Sequence, residues 1–501
     1  MRPGVRDLAV IIGIAWIARA AFVVAIGDTQ AVDVDHWRGA LAALDDGRNP
    51  YETGVLNWPP LWLMIIVSLD YVAGVVEIGF WSVLRIYLVL VESVLVVTLY
   101  ATLTSFGAGR RSVRRALLAG VALNPVAIIL VCQHGNSDVQ VGLLVTLAVA
   151  ALAAHERSRD IVVWLGGSLF LGLGILAKTV PLVLAPLLAP GARLASNSGR
   201  ALGAVLFLGP AALAVAVIFV LAPSEVWDHV IGYRATRGFF GLAGMLEESG
   251  AIEARFAVVS IGALGALTAI VVVWRARRPA SPGAVFALVA ATVIVAALWL
   301  VEAAERFTIG GVRERYDTAF TVGVVVAVAL LGRRLWREEP PALPRLFLLA
   351  AVLLLAIVAF GPGYGPQYAY WFLPALVATY VLLDDGWRVL LRVAWIVGAL
   401  TYAFEYAVVD YLGAWARAVF GDAAWVTDAG AYLSTPHHLV IYRLPLYVVY
   451  LLLIAAGIER LVARGEHEPA AGHGPGSRSE TPGESLRSRV GHAGSAPRSQ
   501  G

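Results

Sequence analysis

The chain has 501 residues, 59% of them hydrophobic and 15% charged, with a mean hydropathy of +0.76. A soluble domain carries roughly a quarter charged residues, so this balance excludes a soluble enzyme or a nucleic-acid-binding module and indicates a polytopic membrane protein. The net charge of +3 identifies no partner, because membrane proteins keep their basic residues for orientation. All but one of the 38 Lys plus Arg residues are arginine, and the exception is Lys178. The single cysteine, Cys132, rules out an internal disulfide framework. No Cys/His spacing suggests a zinc site; the acidic pair Asp33 and Asp35 could bind a divalent cation, but nothing in the sequence supports one and no cofactor is expected.

The first apolar run, "DLAVIIGIAWIARAAFVVAIG", is long enough to cross a hydrocarbon core of ~30 Å as a helix. It lacks a small-residue cleavage site, so it reads as a retained helix and not a removed signal. Behind it comes an acidic connection, residues 28–60, with Asp33, Asp35, His36 and Arg38 leading a short amphipathic segment. Asp35 could cap that segment through the backbone N–H groups that follow it. The next run, 59–76, is expected to lie at the interface or half-inserted; a full crossing would put Arg110, Arg111, Arg114 and Arg115 outside.

Further along, arginine-rich connections occur at 109–115, 155–160, 192–200, 274–278, 332–338 and 384–388 and after Glu459. Setting them all in the cytoplasm predicts about 12–14 transmembrane helices with both termini inside. Connections 28–60, 132–138, 223–255, 302–316, 361–367 and 410–438 then face outward. Residues 1–464 form one all-α membrane domain. Residues 465–501, rich in Gly, Ser, Pro and Arg, bury too little surface to offset their ordering entropy and are expected to be a disordered cytoplasmic tail.

Polar groups at membrane depth or on the outer side are the informative ones, because a charge there is costly. Asp33 and Asp35 follow the first span; "CQHGNSDVQ" brings His134, Asn136 and Asp138; Lys178 sits between apolar runs. Outer connections add His229, Arg234, Arg237, Glu302, Glu305, Arg306, Arg313 and Arg315, then Tyr364, Gln367, Tyr368, His437 and His438. Each has a plain alternative: a helix-start acid, a Gly-Asn turn, a snorkelling lysine, a loop ion pair. Together they place carboxylates and cations on one side, which suits an anionic lipid-linked substrate. A carboxylate can take a proton from an acceptor hydroxyl, and Lys or Arg can hold a departing phosphate. A carrier would instead show broken helices and ionisable residues in paired spans, and the middle of most spans reads as apolar.

The stretch "DVDHW…GRNPYETGVLNWPPLW" resembles the first outer loop of the GT-C integral membrane glycosyltransferases, especially polyprenol-phosphate mannosyltransferases and the GPI mannosyltransferase type. Matching positions are Asp33 and Asp35, then Gly47, Pro50 and Tyr51, then Trp58, Pro59, Pro60 and Leu61. "QHGNSDVQVGLL" resembles the family's H-G-(Q/N)-x-D turn, "LAKTVP" its K-x-x-P step, and "GPQYAYWFLP" its late P-Q-Y segment. The resemblance implies a plasma-membrane enzyme moving a sugar, mannose by family habit, from a polyprenyl-phosphate donor to a cell-envelope glycolipid or polysaccharide. It also implies an acid of the first loop as base. Asp33 fits the spacing to Pro50 and Tyr51, and Asp35 fits proximity to the amphipathic helix, so both are carried as catalytic candidates. Lys178 with Arg234, Arg237, Arg313 or Arg315 would hold the donor phosphate. His134, Asn136, Asp138, Gln367 and Tyr368 would line the pocket. The competing reading is a transporter or flippase of lipid-linked sugars.

Overall fold

The computed structural model describes residues 3–27, 32–54, 56, 58–221, 312–337, 341–361, 365–383, 385–404, 428 and 436–462. The connections 223–255 and 410–435, residues 302–311 and the tail 465–501 lie outside the described residues. The protein is an all-α polytopic membrane protein. Among the described residues six helices are long and apolar enough to cross a membrane, or seven if one bent pair counts as a single span.

α1 (Pro3–Ile26) leads into the short α2 (Val32–Asp45), then α3 (Pro60–Val76) and the long α4 (Phe80–Ser105). The direction of each is fixed by polar contacts at its ends. Arg85, near the start of α4, donates to the Gly27 carbonyl just past the end of α1. Near the other end of α4, Tyr100 donates to Asp7 of α1, which also binds Arg114 at 2.9 Å. α3 begins with Trp62 against Trp37 of α2 and ends four residues before α4 starts. α3, an apolar helix of 17 residues, is not among the six candidate spans.

Residues 110–134 cross in a broken path: α5 (Arg110–Leu117), a π-helical turn (Leu118–Ala122), α6 (Pro125–Ile129) and a second π turn (Leu130–His134). The two halves bend by 48°. Pro125 has no N–H to offer the preceding turn, and Asn124 caps the new helix by accepting from the Val126 N–H at 2.9 Å. The break exposes the carbonyls of Val121 and Ala122 where no water can reach them. Arg19 of α1 donates to both. Its charge is balanced by Glu92 of α4, with Nε to Oε2 at 2.6 Å and Nη2 to Oε1 at 2.7 Å. Tyr370 donates to the same Glu92 oxygen at 3.3 Å. The sequence reading expected the middle of most spans to be apolar, and with this buried pair α1 and α4 depart from that pattern.

α7 (Asp138–Ser158) and α8 (Ile161–Ala177) return as an antiparallel pair, and Arg157 at the end of α7 reaches the Ser105 carbonyl. The chain then runs back as a 3₁₀ helix (Val180–Leu188) and α9 (Ala189–Leu194). Pro181, Pro186 and Pro190 disfavour regular α-helix here. The ~2.0 Å rise of a 3₁₀ helix carries fewer residues further than the α-helix would. α10 (Asn197–Leu221) packs so closely on α8 that a Cβ on Gly172 would collide with the Leu206 and Phe207 carbonyls. α11 (Val312–Arg337), α12 (Leu343–Phe360), α13 (Ala369–Leu382), α14 (Asp385–Phe404) and α15 (Pro436–Val462) complete the described bundle. Arg193 binds the Trp336 carbonyl and Arg345 the Leu461 carbonyl. The described arginine-rich connections thus share one end, and Asp33, His134, Asp138 and Lys178 share the other. Connection 274–278 lies outside the described residues.

Removing one partner of a sealed ion pair leaves a bare buried charge, whereas removing both does not. Glu92→Gln is expected to destabilise the protein by about 3–5 kcal/mol. Arg19→Met with Glu92→Met should lose clearly less than the sum of the single variants, as read by thermal unfolding in detergent. Additive losses would show that the pair is not a coupled unit.

Candidate functional site

Helix α2 buries Val34, Trp37, Ala40 and Ala43 and exposes Asp35, Arg38 and Asp45. It starts at Val32, so Asp33 and Asp35 both lie in its first turn and Asp35 is not its cap. Two residues apart on a helix means nearly opposite faces. The Asp33 side chain is accordingly 13% exposed and points inward, and that of Asp35 is 63% exposed and pairs with Arg38 at 3.7 Å. Trp37 anchors the helix: its indole N–H donates to the Gly135 carbonyl at 3.1 Å, and its ring meets Trp58 and Trp62 edge-on. The "NPY" element serves the same loop. Asn49 caps the 3₁₀ turn Pro50–Thr53, and the Tyr51 hydroxyl donates to the Trp58 carbonyl.

The broken span delivers the second part. Its last π turn ends at His134, and Gly135 adopts φ +67°, a left-handed conformation that favours glycine. A side chain at Gly135 would also collide with the Trp81 ring. Arg85, stacked 4.3 Å over that ring, donates to the Cys132 carbonyl at 2.7 Å and steadies the turn from the other side. His134 and Asn136 then converge on one oxygen of Asp33. His134 Nε2 stands 2.9 Å from Asp33 Oδ2, and Asn136 Nδ2 donates to the same atom at 2.6 Å. The other oxygen, Oδ1, has His36 Nδ1 at 4.0 Å. Asn136 is itself held by the Ser137 hydroxyl.

Two residues further on, fully buried Asp138 accepts from Lys178 Nζ at 2.7 Å and from the Trp371 indole. Lys178 ends α8 with extended backbone, and its ammonium lies 4.5 Å from the Tyr368 ring centroid and 5.1 Å from that of Trp371. Those two rings stack on each other at 4.1 Å. Lysine is thus held by a carboxylate on one side and two aromatic faces on the other. The alternative of a lysine snorkelling free to the interface does not hold.

Burial alone would raise the Asp33 carboxyl. The His134 ring beside it, then Lys178 and His36, outweigh that effect and hold it below the ordinary carboxylate value. Asp33 therefore stays ionised through the neutral range with Oδ1 as its less engaged oxygen.

The structure brings together Asp33, His134, Asn136, Asp138, Lys178 and Tyr368 and leaves Asp35 outside. Gln367 lies in the same 3₁₀ turn as Tyr368 (Pro366–Tyr368), folded against Gly365. Arg234 and Arg237, with His229, lie outside the described residues. So do the side chains of Arg313 and Arg315 in the first turn of α11, and those of His437 and His438 in the first turn of α15. Among the described residues no cluster of three or more His, Cys, Asp and Glu side chains could hold a metal ion. Sequence reading missed Trp37, Arg85 and Trp371 as supports. The available signal was an arginine inside an apolar run for Arg85, and for the two tryptophans their places in the "DVDHW" and "PQYAYW" motifs. Protein-family models give no match to the chain, and a search of curated proteins gives none either.

A group whose folded pKa is depressed adds stability above its unfolded pKa and loses it as pH falls through the folded value. The stability difference between wild type and Asp33→Ala should therefore persist from neutral pH down to the ordinary aspartate range, near ~4, and shrink below it. Thermal unfolding across pH reads this, and a difference that is flat down to strongly acidic pH would contradict it. Gly135→Ala should cost about 1–3 kcal/mol from overpacking against Trp81 and left-handed strain, measured in the same assay.

Proposed function

We propose that the protein is an integral membrane glycosyltransferase that moves a sugar from a polyprenyl-phosphate donor to a glycolipid or polysaccharide acceptor on the outer face of the plasma membrane. The observation that carries this reading is the Asp33 carboxylate, ionised and oriented by His134 and Asn136 at the acidic end of the bundle. The resemblance of four separated motifs to GT-C enzymes supports it. In this scheme an acceptor hydroxyl gives its proton to Asp33 Oδ1 as its oxygen attacks the anomeric carbon. The bond from that carbon to the phosphate oxygen breaks on the opposite side, and the polyprenyl phosphate leaves with the electron pair. Lys178 supplies positive charge beside the base, with Arg234, Arg237, Arg313 and Arg315 as the candidates to meet the phosphate. Mannose is the sugar that the resemblance favours. Both termini then lie in the cytoplasm, with the arginine-rich end of the bundle.

A second reading, a carrier of lipid-linked sugars, draws on the broken span 110–134 and the buried Arg19–Glu92 pair. That pair is sealed by backbone carbonyls and Tyr370 and is not lined up along a path, which favours the enzyme.

Purified protein is expected to transfer radiolabelled sugar from a polyprenyl-phosphate donor to envelope lipid, and Asp33→Asn should lower the rate by about 10²–10⁴-fold. Asp35→Asn, on the exposed face, should keep most activity. Wild-type rates in a folded Asp33→Asn protein would remove Asp33 as the base. Movement of the intact donor across vesicles without sugar transfer would instead establish the carrier.

A further inference from the structure

At the arginine end of the bundle, the start of α8, the end of the 3₁₀ helix, α9, the start of α10 and the end of α11 line an open cavity of about 460 Å³. Trp164 and Lys178 are fourteen residues apart along α8, so at ~1.5 Å per residue the cavity lies about 20 Å from the acidic cluster. It belongs to neither half of the proposed glycosyltransferase site. Its walls are apolar: Trp164, Ala185, Leu188, Ala204, Phe207 and Val328. Its size falls in the range of ligand pockets, roughly 300–1,000 Å³.

Three features shape it. Trp164 is fixed by its hydrogen bond to the Leu188 carbonyl and wedged where Gly191 and Gly203 leave room, since a Cβ at either would collide with the indole. Gly332 lines the cavity with nothing within 4 Å of the place its Cβ would occupy. The remaining lining is cationic and interfacial. Arg200 and Arg333 are exposed, and the Arg200 guanidinium stands 5.6 Å from the ring of half-exposed Trp336, whose carbonyl binds Arg193. An apolar slot with two arginines and an interfacial tryptophan at its edge matches one chemistry: a lipid with an acyl chain and an anionic head.

We infer that this cavity binds an anionic phosphoglycerolipid of the adjoining leaflet, with one acyl chain between Leu188, Phe207 and Val328 and the phosphodiester at Arg200 and Arg333. The inference does not depend on the enzymatic reading. A zwitterionic lipid offers the same chain without the net charge, and glycerophosphate offers the charge without the chain.

Native mass spectrometry of the full-length protein, released from neutral detergent after titration with phosphatidylglycerol, phosphatidylcholine of the same chains, or glycerophosphate, tests it. Wild type should retain one phosphatidylglycerol. It should hold phosphatidylcholine far more weakly and glycerophosphate not at all. Arg200→Gln with Arg333→Gln should weaken phosphatidylglycerol roughly 30-fold, the loss expected for two juxtamembrane arginines. Gly332→Leu should exclude it by filling the slot while leaving both arginines. Equal retention of phosphatidylcholine by wild type overturns the proposal without reference to any variant. So does glycerophosphate binding as tightly as the lipid, or a folded Gly332→Leu protein that retains the lipid as wild type does.

Discussion

In a bilayer no water is at hand to satisfy a backbone carbonyl that loses its helical partner, and every such group must be met from within the protein. The break at Leu123–Asn124 creates that demand, and Arg19 meets it by donating to Val121 and Ala122. A guanidinium at that depth needs a counter-charge, which Glu92 supplies through two short contacts. The arrangement ties α1, α4 and α13 to the broken span at one place. It also governs what lies beyond the break: Cys132 donates through sulfur to the Arg19 carbonyl, and Arg85 donates to the Cys132 carbonyl. The His134–Gly135–Asn136 turn therefore sits where a buried ion pair some distance below allows it to sit.

That turn unites two halves of the candidate site. Asp33 comes from a helix resting at the bundle end, and Asp138 opens a helix inside the bundle. Asn136 and Asp138, two residues apart, each engage one charged group: Asn136 donates to the Asp33 carboxylate, and Asp138 accepts from the Lys178 ammonium. Within the described residues the cluster holds two carboxylates against a single lysine, a composition suited to proton removal and orientation more than to holding a phosphate alone. The opposite end inverts the chemistry, with arginines around an apolar slot. One helix, α8, links the two settings: Lys178 at its C-terminal cap belongs to the cluster and Trp164 near its start lines the slot, so the polarity of the bundle is carried along single elements.

Several features were legible in the residues themselves. Apolar run lengths told that the chain is an all-α protein of several membrane-spanning helices, because hydropathy is a one-dimensional property of the chain. The "HGNSD" turn and Lys178 stood out because polar groups are rare in such company. The choice between Asp33 and Asp35 was open, since spacing to Pro50 favoured one and proximity to the amphipathic helix the other. The helix starting at Val32 turns these two positions to opposite faces, Asp33 inward and Asp35 outward.

The sequence by itself determined the solvent this protein lives in and the short list of polar groups that stand out in an apolar chain. These follow from composition and local order. Only the tertiary structure decided that Arg19 and Glu92, 73 residues apart, neutralise each other, and that Asp138 and Trp371, 233 apart, share a hydrogen bond. It also decided that Lys178 lies under two stacked rings. The reason is that a buried charge is defined by its partners, and partners brought together by helix packing leave no periodic signal along the chain.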